Sequence, residues 1–126
     1  MHPEQFLEAA IDWKESESSN EAYKRSSISR AYYAAFHRCK QTLHKLNIPL
    51  PQHKTSHLQV IDALRDSGDK SLRPMAHKLK ELKYMREEAD YALMTPPPTQ
   101  NNTLAIRKAQ AIIDACDRKL AEKFGT

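Results

Sequence analysis

Residues 21–46, EAYKRSSISRAYYAAFHRCKQTLHKL, place Ile28, Tyr32, Ala35, Phe36, Cys39, Leu43 and Leu46 at i, i+4, i+7, i+8, i+11, i+15 and i+18. That spacing keeps one apolar face over several turns of α-helix. At 1.5 Å per residue the helix is about 40 Å long, enough to be the spine of a small domain. Ser18 and Glu21 form a capping-box pattern ahead of it.

Working outward, the breaks fall between periodic segments. Pro49 and Pro51 mark one, Asp66-Ser67-Gly68-Asp69 a second, Pro96-Pro97-Pro98 a third and Ser16 to Asn20 a fourth. The pattern predicts a first helix from Pro3 to Glu15, with Phe6, Ala9, Ala10 and Trp13 on one face. A third helix, Thr55 to Asp66, turns Leu58, Ile61 and Leu64 inward. A fourth, Ser71 to Leu93, carries Leu72, Met75, Ala76, Leu79, Leu82, Ala89 and Leu93. A fifth, Thr103 to Lys123, carries Ile106, Ala109, Ile113, Cys116 and Leu120. Helices of this length on short connections predict a single all-α domain over residues 1–126, an antiparallel bundle of four to five helices. The proline run predicts a stiff extended connector.

Composition narrows the function classes. With 126 residues there is material for one core. Two glycines are too few for a phosphate-cradling loop or a dinucleotide-binding turn. No apolar run approaches the ~20 residues of a membrane helix. Met1-His2-Pro3-Glu4-Gln5 has no basic region leading into an apolar run, so no secretory signal and no membrane partner is expected. Cys39 and Cys116 lie on apolar stripes without paired ligand spacing, which predicts neither a zinc site nor a disulfide framework and fits a reducing cytoplasm. The net charge of +4 permits contact with RNA, DNA or nucleotide without demanding it.

The residues that break the stripes carry the functional reading. On the fourth helix, Arg86 and Asp90 lie within about 20° of Leu79 when each residue turns the helix by 100°. Arg25 lies similarly close to Tyr32 on the long helix. A guanidinium or carboxylate on an apolar face must be paired. Arg86 and Asp90, at i and i+4, can reach each other, and Arg25 can join them if the helices face one another. Such a cluster either fixes helix packing or lines a phosphate or partner site, for which arginine forks are suited. A second constellation, Arg30 and His37 with Ser26, Tyr33 and His44 beside them, is expected opposite the Tyr32/Phe36/Leu43 stripe. It reads as a solvated face, a dimer or partner surface, or a site for acid–base work on a phosphodiester. His53 and His57, at i and i+4, lack a third ligand, so no metal and no cofactor is expected. Lys70, Arg73, Lys78, Lys80 and Lys83 scatter around the fourth helix as a solvated surface rather than a nucleic-acid track.

The segment Ser29-Arg30-Ala31-Tyr32-Tyr33-Ala34-Ala35-Phe36-His37 resembles the S-R-x-Y-Y-A-x-F-H signature of HEPN (higher eukaryote and prokaryote nucleotide-binding) domains. Leu82-Lys83-Tyr84-Met85-Arg86-Glu87-Glu88-Ala89-Asp90-Tyr91 resembles the L-x-x-x-R-x-x-A-D-Y segment that follows in that family. The resemblance implies a helical bundle that homodimerises. It also implies an operon or defence setting in which the partner is a minimal nucleotidyltransferase or another antitoxin. Catalytic members are metal-independent endoribonucleases with an R-x4-6-H motif at a composite cleft between subunits. Carried over by position are Arg86, Asp90 and Tyr91 from the later segment, and Arg30, Tyr33 and His37 from the earlier one. The motif histidine is replaced by Tyr91, whose pKa near ~10 makes a poor base at neutral pH. Two R-x4-6-H strings, Arg30 to His37 and Arg38 to His44, lie instead on the long helix.

Three expectations follow. The first is a dimeric module that binds RNA, a nucleotide or a partner through Arg86 and Arg30, with a degenerate ribonuclease motif. The second is an active endoribonuclease toxin using His37 with Arg30 or Arg86. The third is a structural subunit of a larger complex.

Overall fold

A computed structural model describes residues 3, 21–52, 55–91 and 100–125. These residues form four helices: α1 Glu21–Lys45, α2 Ser56–Asp66, α3 Arg73–Tyr91 and α4 Gln100–Phe124. There is no strand among them. Of the expected helix at Pro3 to Glu15, only Pro3 is described, helical and buried. The rest of that helix, the Ser18 cap and the Pro96–Pro98 connector lie outside the described residues.

The break after α1 has a specific geometry. Asn47 adopts φ +60°. Its N–H donates to the carbonyl of His44 at 3.1 Å, and the N–H of Ile48 reaches back to that of Leu43 at 3.0 Å. This is the two-bond C-terminal closure in which asparagine substitutes for glycine in the left-handed region. Pro49 then prevents the helix from resuming. After α2 the chain turns at Gly68, φ +83°. Asp69 organises the entry to α3. Its carboxylate accepts from the Ser71 N–H at 2.9 Å and the Ser71 hydroxyl at 2.6 Å, and it pairs with Lys119 of α4.

α1 is the spine. Ile28, Ala31, Tyr32, Ala34, Ala35, Phe36, Cys39 and Leu43 are all buried, so it is covered on most of its circumference. The alanines leave room for a neighbouring backbone to approach, and α4 brings Ala105 and Ala109 into the same core. α3 runs antiparallel to each of its neighbours. Arg25 meets Ala89 and Tyr33 meets Arg86 on α1. Asp69 and Glu81 pair with Lys119 and Lys108 on α4. Leu58, Ile61, Asp62 and Arg65 of α2 line one groove with Lys80, Lys83, Tyr84 and Glu87 of α3.

Two inward faces differ from the sequence reading. On α2, Leu58 is 42% exposed and Val60 is fully buried. The helix packs against α1 and α3 together, which rotates its buried arc onto Val60, Ile61, Ala63 and Leu64. On α4, Ala105 and Ile112 are fully buried whereas Ile106 and Leu120 are half-buried, because that helix also serves two neighbours. Cys39 and Cys116 are both free and buried, with their Sγ atoms 4.0 Å apart between α1 and α4. Their mutual hydrogen bond and burial push the Cys39 thiol well above its ordinary pKa, so it packs as a small neutral side chain. Among the described residues no helix is long and apolar enough to cross a membrane.

Candidate phosphate-binding site

Arg86 projects from α3 onto the aromatic face of α1. Its Nη1 donates to the Tyr33 hydroxyl at 2.9 Å. The guanidinium carbon lies 5.4 Å from the Tyr32 ring centroid and 5.6 Å from that of Tyr33. Both distances are within the range in which a cation is attracted to a ring face. The two tyrosines meet edge to face at 5.5 Å, and Phe36 stacks on Tyr32 at 6.0 Å. A guanidinium held by a hydroxyl and two rings keeps a fixed orientation that a solvated arginine does not have.

Two imidazoles close the cluster. His57, in the first turn of α2, lies 5.0 Å from Phe36, 5.5 Å from Tyr32 and 6.2 Å from Tyr33, centroid to centroid. His37 of α1 packs at 5.1 Å from Phe36 and 6.1 Å from Tyr33. Burial lowers the His57 pKa, and Arg86 and Lys83 lower it further against the opposing pull of Glu87. Burial and then Lys40 lower that of His37. Both rings are therefore neutral at neutral pH.

One nitrogen of His57 is committed to its neighbour on α1. Burial raises the Tyr32 pKa far above its ordinary value, although Arg86 pulls the other way. The Tyr32 hydroxyl thus keeps its proton and shares a hydrogen bond with His57 Nδ1, 2.6 Å away. A neutral imidazole has one N–H donor and one acceptor nitrogen, so with Nδ1 committed to Tyr32, Nε2 remains for a further partner. The site combines one fixed cation and two imidazoles held toward the neutral form, which together suit an anion such as a phosphate.

The expected residues divide. Arg86, Tyr33 and His37 are brought together. Tyr33 and His37 do not form a surface separate from the Tyr32/Phe36 stripe. Neighbouring positions on a helix are only 100° apart, and long aromatic side chains span that angle. Arg25 donates from Nη1 to the Ala89 carbonyl of α3 at 3.2 Å. It meets α3 through the backbone. Arg30 is half-buried on α1, one turn before Tyr33. Asp90 and Tyr91 fall in the last turn of α3, but their side chains, and with them the expected Arg86–Asp90 pair, lie outside the described residues. In sequence, His57 reads only as a metal ligand with His53, which itself lies outside the described residues. No spacing rule links His57 to aromatic residues about 25 positions earlier, so its place in the cluster emerges only on folding. Among the described residues no group of three or more histidine, cysteine or acidic side chains could hold a metal ion.

Residues 4–119 match the family model of the HEPN domain. The chain belongs to the HEPN domain family, whose members are helical bundles with nucleotide- and RNA-related roles. No curated protein and no solved structure matches it.

Proposed function

We propose that this HEPN domain binds the phosphate of RNA or of a nucleotide at the Arg86 cluster. The observation that carries the reading is the guanidinium of Arg86 fixed by Tyr33 and two ring faces beside two neutral imidazoles. The fixed fork lowers the ordering cost of gripping a phosphate, and the neutral histidines add donors without adding charge repulsion around the cation. The module acts as a homodimer, and its cognate partner is a minimal nucleotidyltransferase or another antitoxin or defence protein. That setting is supported by the family resemblance of the two segments around Tyr33 and Arg86. Fluorescence anisotropy with a labelled single-stranded RNA tests the binding. Arg86→Gln is expected to weaken it at least about tenfold, as loss of a charge-assisted contact does. Equal affinity of the variant and the wild type overturns the reading.

A second reading, a metal-independent endoribonuclease, is favoured by one observation: a neutral imidazole is the form required of a general base. His37 is the base in this reading and Arg86 holds the phosphate. Incubation with RNA in EDTA distinguishes the two. Cleavage abolished by His37→Ala supports the ribonuclease. RNA that stays intact while binding depends on Arg86 supports the binding module.

A further inference from the structure

We propose that the groove between α2 and α3 is a nucleobase subsite for single-stranded RNA whose phosphate sits on the Arg86 cluster. The proposal rests on the phosphate-binding reading above and extends it to a second contact. The groove has a volume of about 200 Å³. That is below the ~300–1,000 Å³ of pockets that enclose drug-sized ligands, and it suits one flat ring system rather than a whole cofactor.

Its walls have the required chemistry. Tyr84 from α3 is 60% exposed and Leu58 from α2 is 42% exposed, and both line the same groove. An exposed aromatic ring in a groove that also holds an aliphatic side chain provides a platform on which any base can stack. The carboxylates in the groove are already engaged. Asp62 accepts from Arg65 at 2.7 Å, and Glu87 pairs with Lys83. Lys80 adds a further cation to the lining. The rim is thus net basic by three cations to two carboxylates, which complements a polyanion.

The groove is lined by residues next in the chain to members of the Arg86 cluster. Leu58 follows His57 in the chain, and Glu87 follows Arg86. Lys83 and Glu87, which line the groove, are also the side chains whose charges act on His57. A protein occupant is disfavoured by size, since two exposed apolar side chains fall well short of the ~800 Å² per partner that stable protein interfaces bury.

The test compares the full chain with a labelled RNA hexamer and with an abasic hexamer of the same backbone, by anisotropy. The wild type is expected to prefer the base-containing strand by about 5- to 100-fold, the range of one stacked base. Tyr84→Ala should remove most of that preference and leave abasic binding unchanged, whereas Tyr84→Phe should retain it. Arg86→Gln should weaken both strands. If Tyr84→Ala binds the base-containing strand as the wild type does while Arg86→Gln weakens both, the subsite is wrong and the phosphate site stands. Loss of abasic binding in Tyr84→Ala, or loss of the preference in Tyr84→Phe, also overturns stacking as the role of Tyr84. If the wild type binds neither strand, the phosphate site fails and the groove with it.

Discussion

The Tyr32 hydroxyl, on a ring with no solvent exposure, has His57 Nδ1 as its partner at 2.6 Å. Removing that partner leaves a buried hydroxyl unsatisfied. His57→Ala is expected to destabilise the fold by about 1–3 kcal/mol. Adding Tyr32→Phe should recover part of the loss, because the orphaned hydroxyl goes with it. Chemical denaturation of the two single variants and the double variant measures the coupling, and strict additivity would contradict the bond. The same residue sets a pH dependence. The folded-state pKa of His57 lies below its ordinary ~6.5. Below that pH the unfolded chain takes up a proton that the folded chain does not, so stability falls on acidification. His37 contributes in the same direction. Melting temperature should drop between pH 7 and pH 5, and the drop should be shallower in His57→Gln.

At the scale of elements, the helix ends carry their own predictions. Asn47 holds φ +60° at the end of α1. Asn47→Ala should cost about 1 kcal/mol and Asn47→Gly should be neutral or slightly stabilising, since glycine bears no Cβ in that region. The paired carboxylate of Asp69 is held at about 2 by Lys119 and Ser71. A depressed carboxylate pKa stabilises the fold above the unfolded value near ~3.9, and that contribution is lost as pH falls through about 2. The Asp69–Lys119 pair is partly solvated, so Lys119→Met should cost only about 0–1 kcal/mol. That cost should vanish below pH 2, as acid titration of both proteins would show.

Much of the helix layout was legible because its causes are local. The long stripe from Ile28 to Leu43, the break at Pro49 and the turn at Gly68 are each specified by neighbouring residues, and the helix ends that fall inside the described residues agree with expectation within about two positions. The faces of α2 and α4 were less legible. Periodicity locates an apolar arc, but which part is covered depends on how many neighbours the helix serves. For that reason Val60 and Ile112 are buried where Leu58 and Ile106 were expected. Arg86 was legible as a charge on an apolar face. The counterpart was not, because a tyrosine hydroxyl and ring faces can satisfy a guanidinium as a carboxylate can, and sequence spacing favours the nearest acid.

For the whole molecule, the buried face of α1 binds the other helices into one core, and the Arg86 cluster sits where α1, α2 and α3 meet. The account depends on Arg86 engaging a phosphate. The most direct measurement is the affinity for a short single-stranded RNA across a salt titration, wild type against Arg86→Gln. Each phosphate contact on a single strand contributes about 0.7 to the slope of log K against log salt. The account predicts a shallower slope in Arg86→Gln, by about that amount, with weaker binding at low salt. Parallel lines of equal affinity would contradict it.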